Sequence, residues 1–292
     1  MLQEMAGLGF THVELSHGVR ITLIPGVLKA LEEGVVKVSS CHNFCPLPTG
    51  VMQAAPNLFE PSAHDKREQA QWVRHTKRSL DFAAQMGAAV LVCHLGRVTF
   101  AWFSPLRKVQ KYLQQHPRAS YADDPEWLRL RDRVMTRLRE RRPPFWERMV
   151  ANVHEVLEYA AQKGVRLGFE NREKLGELPF DADFDPLFAA LPAGAPVGYW
   201  HDTGHAAIKE ALALIDHDQQ LAHQAPRLLG CHLHDVDAAL HDHLPIGTGR
   251  IDFARLRRHW RPEHRLVVEL KPGTAPEAVI ASRRAVEALL AS

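Results

Sequence analysis

The stretch "APVGYWHDTGHA", residues 195–206, opens on an apolar run and closes on an aspartate and two histidines within five positions. A strand buried on both faces of a parallel sheet reads as such a continuous run, so Asp202 and His205 stand where a strand ends. A surface turn accounts for one residue of this kind; a shared site requires that other strands end alike. Six further apolar β-type runs lie along the chain: "THVELS" (11–16), "VVKVSSCHNF" (35–44), "AAVLVCHLG" (88–96), "VRLGFEN" (165–171), "LLGCHLHDV" (228–236) and "HRLVVELKP" (264–272). Helical patterns separate them. Residues 66–86 carry apolar groups at helical spacing and stop at Gly87, and residues 145–163 stop at Gly164, glycine just past the last turn being a common helix stop. A last helix closes the chain, with Pro276 near its first turn. Strand and helix alternate throughout, which places the chain in the α/β class with a parallel sheet.

The length of 292 residues suits one α/β barrel. The expected fold is a (β/α)8 TIM barrel formed as a single domain over residues 1–292, with seven strands visible. The first barrel strand is missing, because the helix-like "LQEMAGLG" runs directly into "THVELS". Residues 97–144 form a long insert with twelve Lys or Arg against five Asp or Glu. It reads either as a lid over the barrel mouth, with Trp102 and Trp127 as shields, or as a solvated helical face. A net charge of +2 exerts no general pull toward nucleic acid or a membrane surface, and no apolar run is long enough to span a bilayer. The N-terminus has no basic region followed by an apolar one, as a signal peptide would. Cys41, Cys45, Cys93 and Cys231 form no CxxC pair and read as buried thiols of a cytoplasmic protein. A homo-oligomer is compatible with these features.

The runs end, in order, on Glu14 and His17, His42, His94, Glu170, Asp202 with His205, His234 with Asp235, and Glu269. Every run thus ends in a group that binds metal or moves a proton, on the face where parallel barrels keep their reacting groups. Glu170, Asp202, His234 and Glu269 offer three carboxylates and one imidazole. Oxygen-rich ligation of this kind suits one divalent ion, Mn²⁺, Mg²⁺, Co²⁺ or Zn²⁺, and not a structural thiolate zinc.

With "GFEN", "HDTGHA", "CHLHDVD", "HLPIGTGRIDF" and "VVEL" in this order, the chain resembles the xylose isomerase-like TIM barrels. That superfamily includes sugar-phosphate isomerases, ketose 3-epimerases, inosose dehydratases and apurinic endonucleases of the endonuclease-four type. The resemblance implies metal ligation by Glu170, Asp202, His234 and Glu269, and substrate binding by His205. It implies that Glu170 and Glu269 also serve as the acid-base pair, one removing the proton next to a carbonyl through an enediolate and the other returning it. His42, His94, His243 and Arg172 are further substrate-binding candidates, Arg172 being equally readable as a loop cation. The ketose epimerases carry an Arg six residues after the metal His, where this chain has Leu240, which argues against free-ketose 3-epimerisation. The function expected is metal-dependent isomerisation or epimerisation of a small carbohydrate.

Two other chemistries use similar residues. A lyase would eliminate a group β to the carbonyl of a keto-inositol or 3-keto-glycoside from the same site. The endonuclease branch binds several metals through extra histidines, for which His42, His94, His205, His241 and His243 are candidates; nucleic acid is not the expected partner, because the net charge is only +2 and the insert is the only candidate for a basic footprint. Phe169 and Trp200 read as pocket walls or as core, and Asp235 as a carboxylate that orients the metal histidine.

Overall fold

The computed structural model describes residues 1–101 and 103–291; Trp102 lies outside the described residues. The chain runs α1 (Leu2–Gly7), β1 (His12–Leu15), α2 (Ile24–Glu32), β2 (Lys37–His42), α3 (Lys66–Gln85), β3 (Val90–Cys93), α4 (Leu106–Gln115), α5 (Pro125–Arg141) and α6 (Pro143–Lys163). It continues with β4 (Arg166–Glu170), α7 (Phe184–Ala189), β5 (Val197–Asp202), α8 (Thr203–Ala211), α9 (His217–Gln224), β6 (Leu228–Leu233), α10 (Phe253–Arg257), β7 (Arg265–Val268) and α11 (Pro276–Ala291). The strands form one seven-stranded sheet in the order β1 to β7, the sequential order of a TIM barrel, and no strand precedes β1 among the described residues. No helix among them is long and apolar enough to cross a membrane.

Local chemistry sets the helix ends. Asp65 caps α3 by accepting from the Arg67 amide at 2.8 Å, and Asp124 caps α5 by accepting from Glu126 and Trp127, each at 3.1 Å. Side-chain caps of this type satisfy amides that have no partner within the helix. Gly87 and Gly164, with φ of 75° and 66°, take the left-handed conformation that ends α3 and α6.

The described residues group into two compact units interleaved along the chain. The first comprises Met1–Gly96, Glu147–Glu170 and Asp185–Trp200; the second comprises Arg97–Trp146, Asn171–Phe184 and the chain from His201 onward. In the first unit β1 to β5 pair in parallel, with Cys93 opposite Phe169 and Glu170 opposite Trp200. All four residues of β3 are buried, as are Leu167, Phe169, Tyr199 and Trp200. Phe169 stacks on Phe188 with ring centres 6.1 Å apart, and Trp200 packs against the space beside Gly168. Both aromatics are therefore core.

In the second unit β6 pairs with β7 in parallel, Leu233 opposite Val268. The insert folds as α4 and α5 and is joined to the far end of α8. Trp127 is 0% exposed, and its indole N–H donates to the Leu212 carbonyl at 3.0 Å. The Tyr121 amide donates to the Ala211 carbonyl at 2.8 Å, and Arg131 bonds the Ala213 carbonyl. Carbonyls at a helix C-terminus lack partners within the helix; here the insert supplies donors to them.

Candidate metal centre

Asp202 is the last residue of β5 and the N-cap of α8, where its Oδ1 accepts from the His205 amide at 2.7 Å. Its backbone is held by Asn171: the Asp202 amide donates to Asn171 Oδ1 at 2.6 Å, and Asn171 Nδ2 donates to the Asp202 carbonyl at 3.0 Å. One carboxylate oxygen is thus committed to the helix. Oδ2 faces His234 Nε2 at 3.0 Å and His232 Nδ1 at 3.9 Å. His232 Nδ1 also lies 3.1 Å from Glu269 Oε2.

The two histidines of "CHLHD" sit two apart and so share a face of the strand, but their roles differ. The His243 backbone amide, which can only donate, bonds His234 Nδ1 at 2.9 Å. His234 Nδ1 therefore carries a lone pair, and Nε2 holds the proton and donates to Asp202. The imidazole ring of His234 lies over Gly204, where a Cβ would come within 2.0 Å of His234 Cε1. His234 is thus fixed in ring position and tautomer as a support for Asp202. His232, which the reading of strand ends passed over, presents Nδ1 to Asp202 and Glu269. Its signal was the alternation itself, since residues 232 and 234 point the same way.

His243 stacks on His234 with ring centres 4.1 Å apart and planes 9° from parallel. Its backbone is left-handed, φ 55°, an uncommon state for a residue other than glycine. Burial works against its charge, but the Asp242 carboxylate at 3.1 Å, with Glu269 and Asp202 behind it, pushes its pKa up to about 9. His205 donates from Nδ1 to the Asn171 carbonyl at 3.0 Å, because a carbonyl can only accept. His241 is turned away to the surface, bonded to Asp237 Oδ2 at 2.9 Å. Arg172 is buried against Glu177, Nη2 to Oε1 3.3 Å. Asp235 does not orient a histidine: its carboxylate accepts from the amides of Val236, Gly247, Gly249 and Ile251 and so fixes the "GTG" loop. A Cβ at Gly249 would lie 2.4 Å from Asp235 Oδ1.

The first unit carries its own cluster. Glu170 ends β4 and is 2% exposed. His94 Nε2 is 2.7 Å and His42 Nε2 is 3.6 Å from Glu170 Oε2. His42 donates from Nδ1 to the Asn43 carbonyl at 2.8 Å, so Nε2 is the ring atom that faces Glu170. The His42 and His94 rings stand nearly perpendicular, 88°, with centres 4.8 Å apart. Their ligand atoms and that of Glu170 lie within 4.8 Å of one another, as do those of His234, His243 and Glu269 and those of Glu173, His205 and Asp242. Imidazole and carboxylate groups gathered so closely could hold a metal ion.

His201, the other histidine of the opening stretch, takes no part in this. It is buried, with Nε2 2.9 Å from Nε2 of His217 on α9, so one ring donates and the other accepts, and both are neutral. Burial is the main cause that lowers His217, only partly offset by Asp202, Asp218 and Asp216, and its pKa falls to about 4. An unfolded histidine titrates near 6.5. Below that pH the unfolded chain takes up a proton that folded His217 refuses until about pH 4. Stability is therefore intact above pH 6.5 and falls as pH drops toward 4, by roughly 3 kcal/mol from this residue. His217→Gln is expected to flatten the fall of the melting temperature between pH 6.5 and 4; an unchanged slope in calorimetry would remove His217 as its cause.

Among curated proteins none matches this chain by sequence. Solved structures with a similar fold include L-ribulose 3-epimerase, 16% identical, covering 99% of this chain and 86% of that one, with a TM-score of 0.66. A 3-keto-D-glucoside 4-epimerase from E. coli is 14% identical over 100% of this chain and 93% of that one, TM-score 0.64. D-Allulose 3-epimerase from Methylomonas sp., in complex with D-allulose, is 13% identical over 98% and 89%, TM-score 0.62. Residues 2–281 match the family model described as xylose isomerase-like TIM barrel, and the chain belongs to that family.

Proposed function

We propose that this protein is a divalent metal-dependent isomerase or epimerase of a small carbohydrate or carbohydrate derivative, acting by proton transfer at the carbon next to a carbonyl. The observation that carries the reading is the placement of His232 Nδ1 between Asp202 Oδ2 and Glu269 Oε2, at 3.9 and 3.1 Å. Asp202, His232 and Glu269, from three successive strand ends, are the proposed ligands within the second unit, with His234 behind Asp202, and Glu170 is retained from the sequence as the fourth. A divalent ion held there polarises the substrate carbonyl and lowers the pKa of the adjacent C–H. Glu269 and Glu170 are the groups that take and return the carbon-bound proton. His205, fixed through Nδ1 by Asn171, and the His243 imidazolium are placed to bind substrate hydroxyls. The folds of sugar epimerases support the reading. A substrate with a leaving group β to the carbonyl would be cleaved from the same deprotonated state, so a lyase is the nearest variant.

The test requires a panel of keto-sugars, 3-keto-glycosides and keto-polyols in D₂O. Deuterium is expected at the α carbon of at least one, and Glu269→Gln is expected to slow its entry by about 10²–10⁴-fold. Undiminished exchange in both Glu170→Gln and Glu269→Gln would move the chemistry elsewhere.

A second reading has an observation of its own. In the first unit His42, His94 and Glu170 form a donor triad, and clustered cations suit phosphoester cleavage. Metal content near one per chain favours the isomerase; near two or three, with cleavage of abasic DNA, favours this alternative.

A further inference from the structure

We propose that the cleft between α4 and α5 is a binding site for an organic polyphosphate with an aromatic part, of the nucleoside-diphosphate kind, distinct from the metal centre. It is a cavity of about 470 Å³, within the usual range for small-molecule sites. Leu130, Arg133, Val134 and Arg137 line it. They follow one another at i, i+3, i+4 and i+7 and so present one face of α5, with an apolar stripe flanked by two guanidinium groups. Across from them stand Arg107 and Lys108, in the first turn of α4.

Three features select an anion with more than one charge. The side chains of Arg107, Lys108, Arg133 and Arg137 make no hydrogen bond or ion pair among the described residues, no acidic residue lines the cavity, and the first turn of α4 contains no acid. The positive end of the α4 dipole adds to this field. Four unpaired cations around one small cavity repel each other; a monocarboxylate leaves most of that charge uncompensated, whereas a diphosphate offsets it. Guanidinium forks match phosphate oxygens in pairs. The aromatic part is assigned from Phe103, which lines the cavity and is 90% exposed. A free phenyl face beside an apolar helix stripe is a stacking surface for a planar ring. A second cavity of about 370 Å³ shares Phe103 and Arg137 and is also lined by Phe100, Glu140 and Arg141; it leaves room for the uncharged ring beyond the phosphates.

The experiment is calorimetric titration of the metal-loaded full chain at low salt with ADP, pyrophosphate and adenosine, repeated with His232→Ala. One ADP is expected to bind per chain, more tightly than pyrophosphate, with adenosine weakest, and equally in His232→Ala. Arg133→Glu with Arg137→Glu should weaken ADP by more than about tenfold. Phe103→Ser should weaken ADP and leave pyrophosphate unchanged. All three positions are exposed, and a melting temperature like that of the parent confirms folding. ADP no tighter than pyrophosphate, binding that survives the double charge reversal, or no binding of any probe overturns the proposal. Loss in His232→Ala would assign the phosphates to the metal centre instead, and tighter binding of oligothymidylate than of ADP would make the groove a nucleic-acid contact.

Discussion

On the proposed metal centre, replacing His232 with alanine is expected to abolish divalent-ion binding and nearly all turnover. His232 Nδ1 faces two carboxylates, at 3.1 and 3.9 Å, so its removal deletes a donor from the centre and leaves the acidic groups less well held. His234→Ala should be milder. It removes the donor to Asp202 Oδ2 and the ring that fills the space over Gly204, but none of the four proposed ligands. Residues that orient a ligand typically cost about 10–100-fold in metal affinity, and loss of a ligand should exceed that. Metal per chain after dialysis against a graded chelator, alongside circular dichroism to confirm folding, distinguishes the two. If His234→Ala loses the ion more readily than His232→Ala, the roles are reversed; if both keep it, the site is elsewhere.

Trp127→Ala is expected to destabilise the protein by about 3–5 kcal/mol, the usual cost of emptying the place of a fully buried large aromatic. Two losses add: the ring, packed against Tyr121 with centres 5.3 Å apart, and the hydrogen bond to the Leu212 carbonyl. Trp127→Phe refills most of the volume and lacks the N–H, so it should cost less. The effect should extend to metal binding, because α8 runs from Asp202 at its N-cap to the carbonyls that the insert holds. Denaturant unfolding gives the first quantity and metal titration the second. A loss below about 1 kcal/mol would mean that the insert rests on the unit without supporting it.

Much of this was legible in the sequence. Seven apolar runs became seven strands, since burial on both faces leaves no polar position in a run such as "AAVLVC", and Gly87 and Gly164 stopped their helices as a residue free to adopt positive φ does. Asp202, Glu170 and Glu269 stood out because a carboxylate at the end of a buried strand needs a partner. The tertiary structure decided which partner each one has. Residues 232 and 234 are equivalent in strand periodicity; only the His243 amide, delivered from nine residues further on by a loop that Asp235 holds, fixes the tautomer of His234 and separates the two roles. Likewise the sequence of the insert shows basic charge and a helical period, but not that Trp127 reaches the end of α8 or that Arg107 and Lys108 stand across from Arg133 and Arg137. Periodicity reports which residues share a face of their own element. What that face meets depends on residues distant in the chain, and the tautomers, ion pairs and cavities that carry the chemistry are set there.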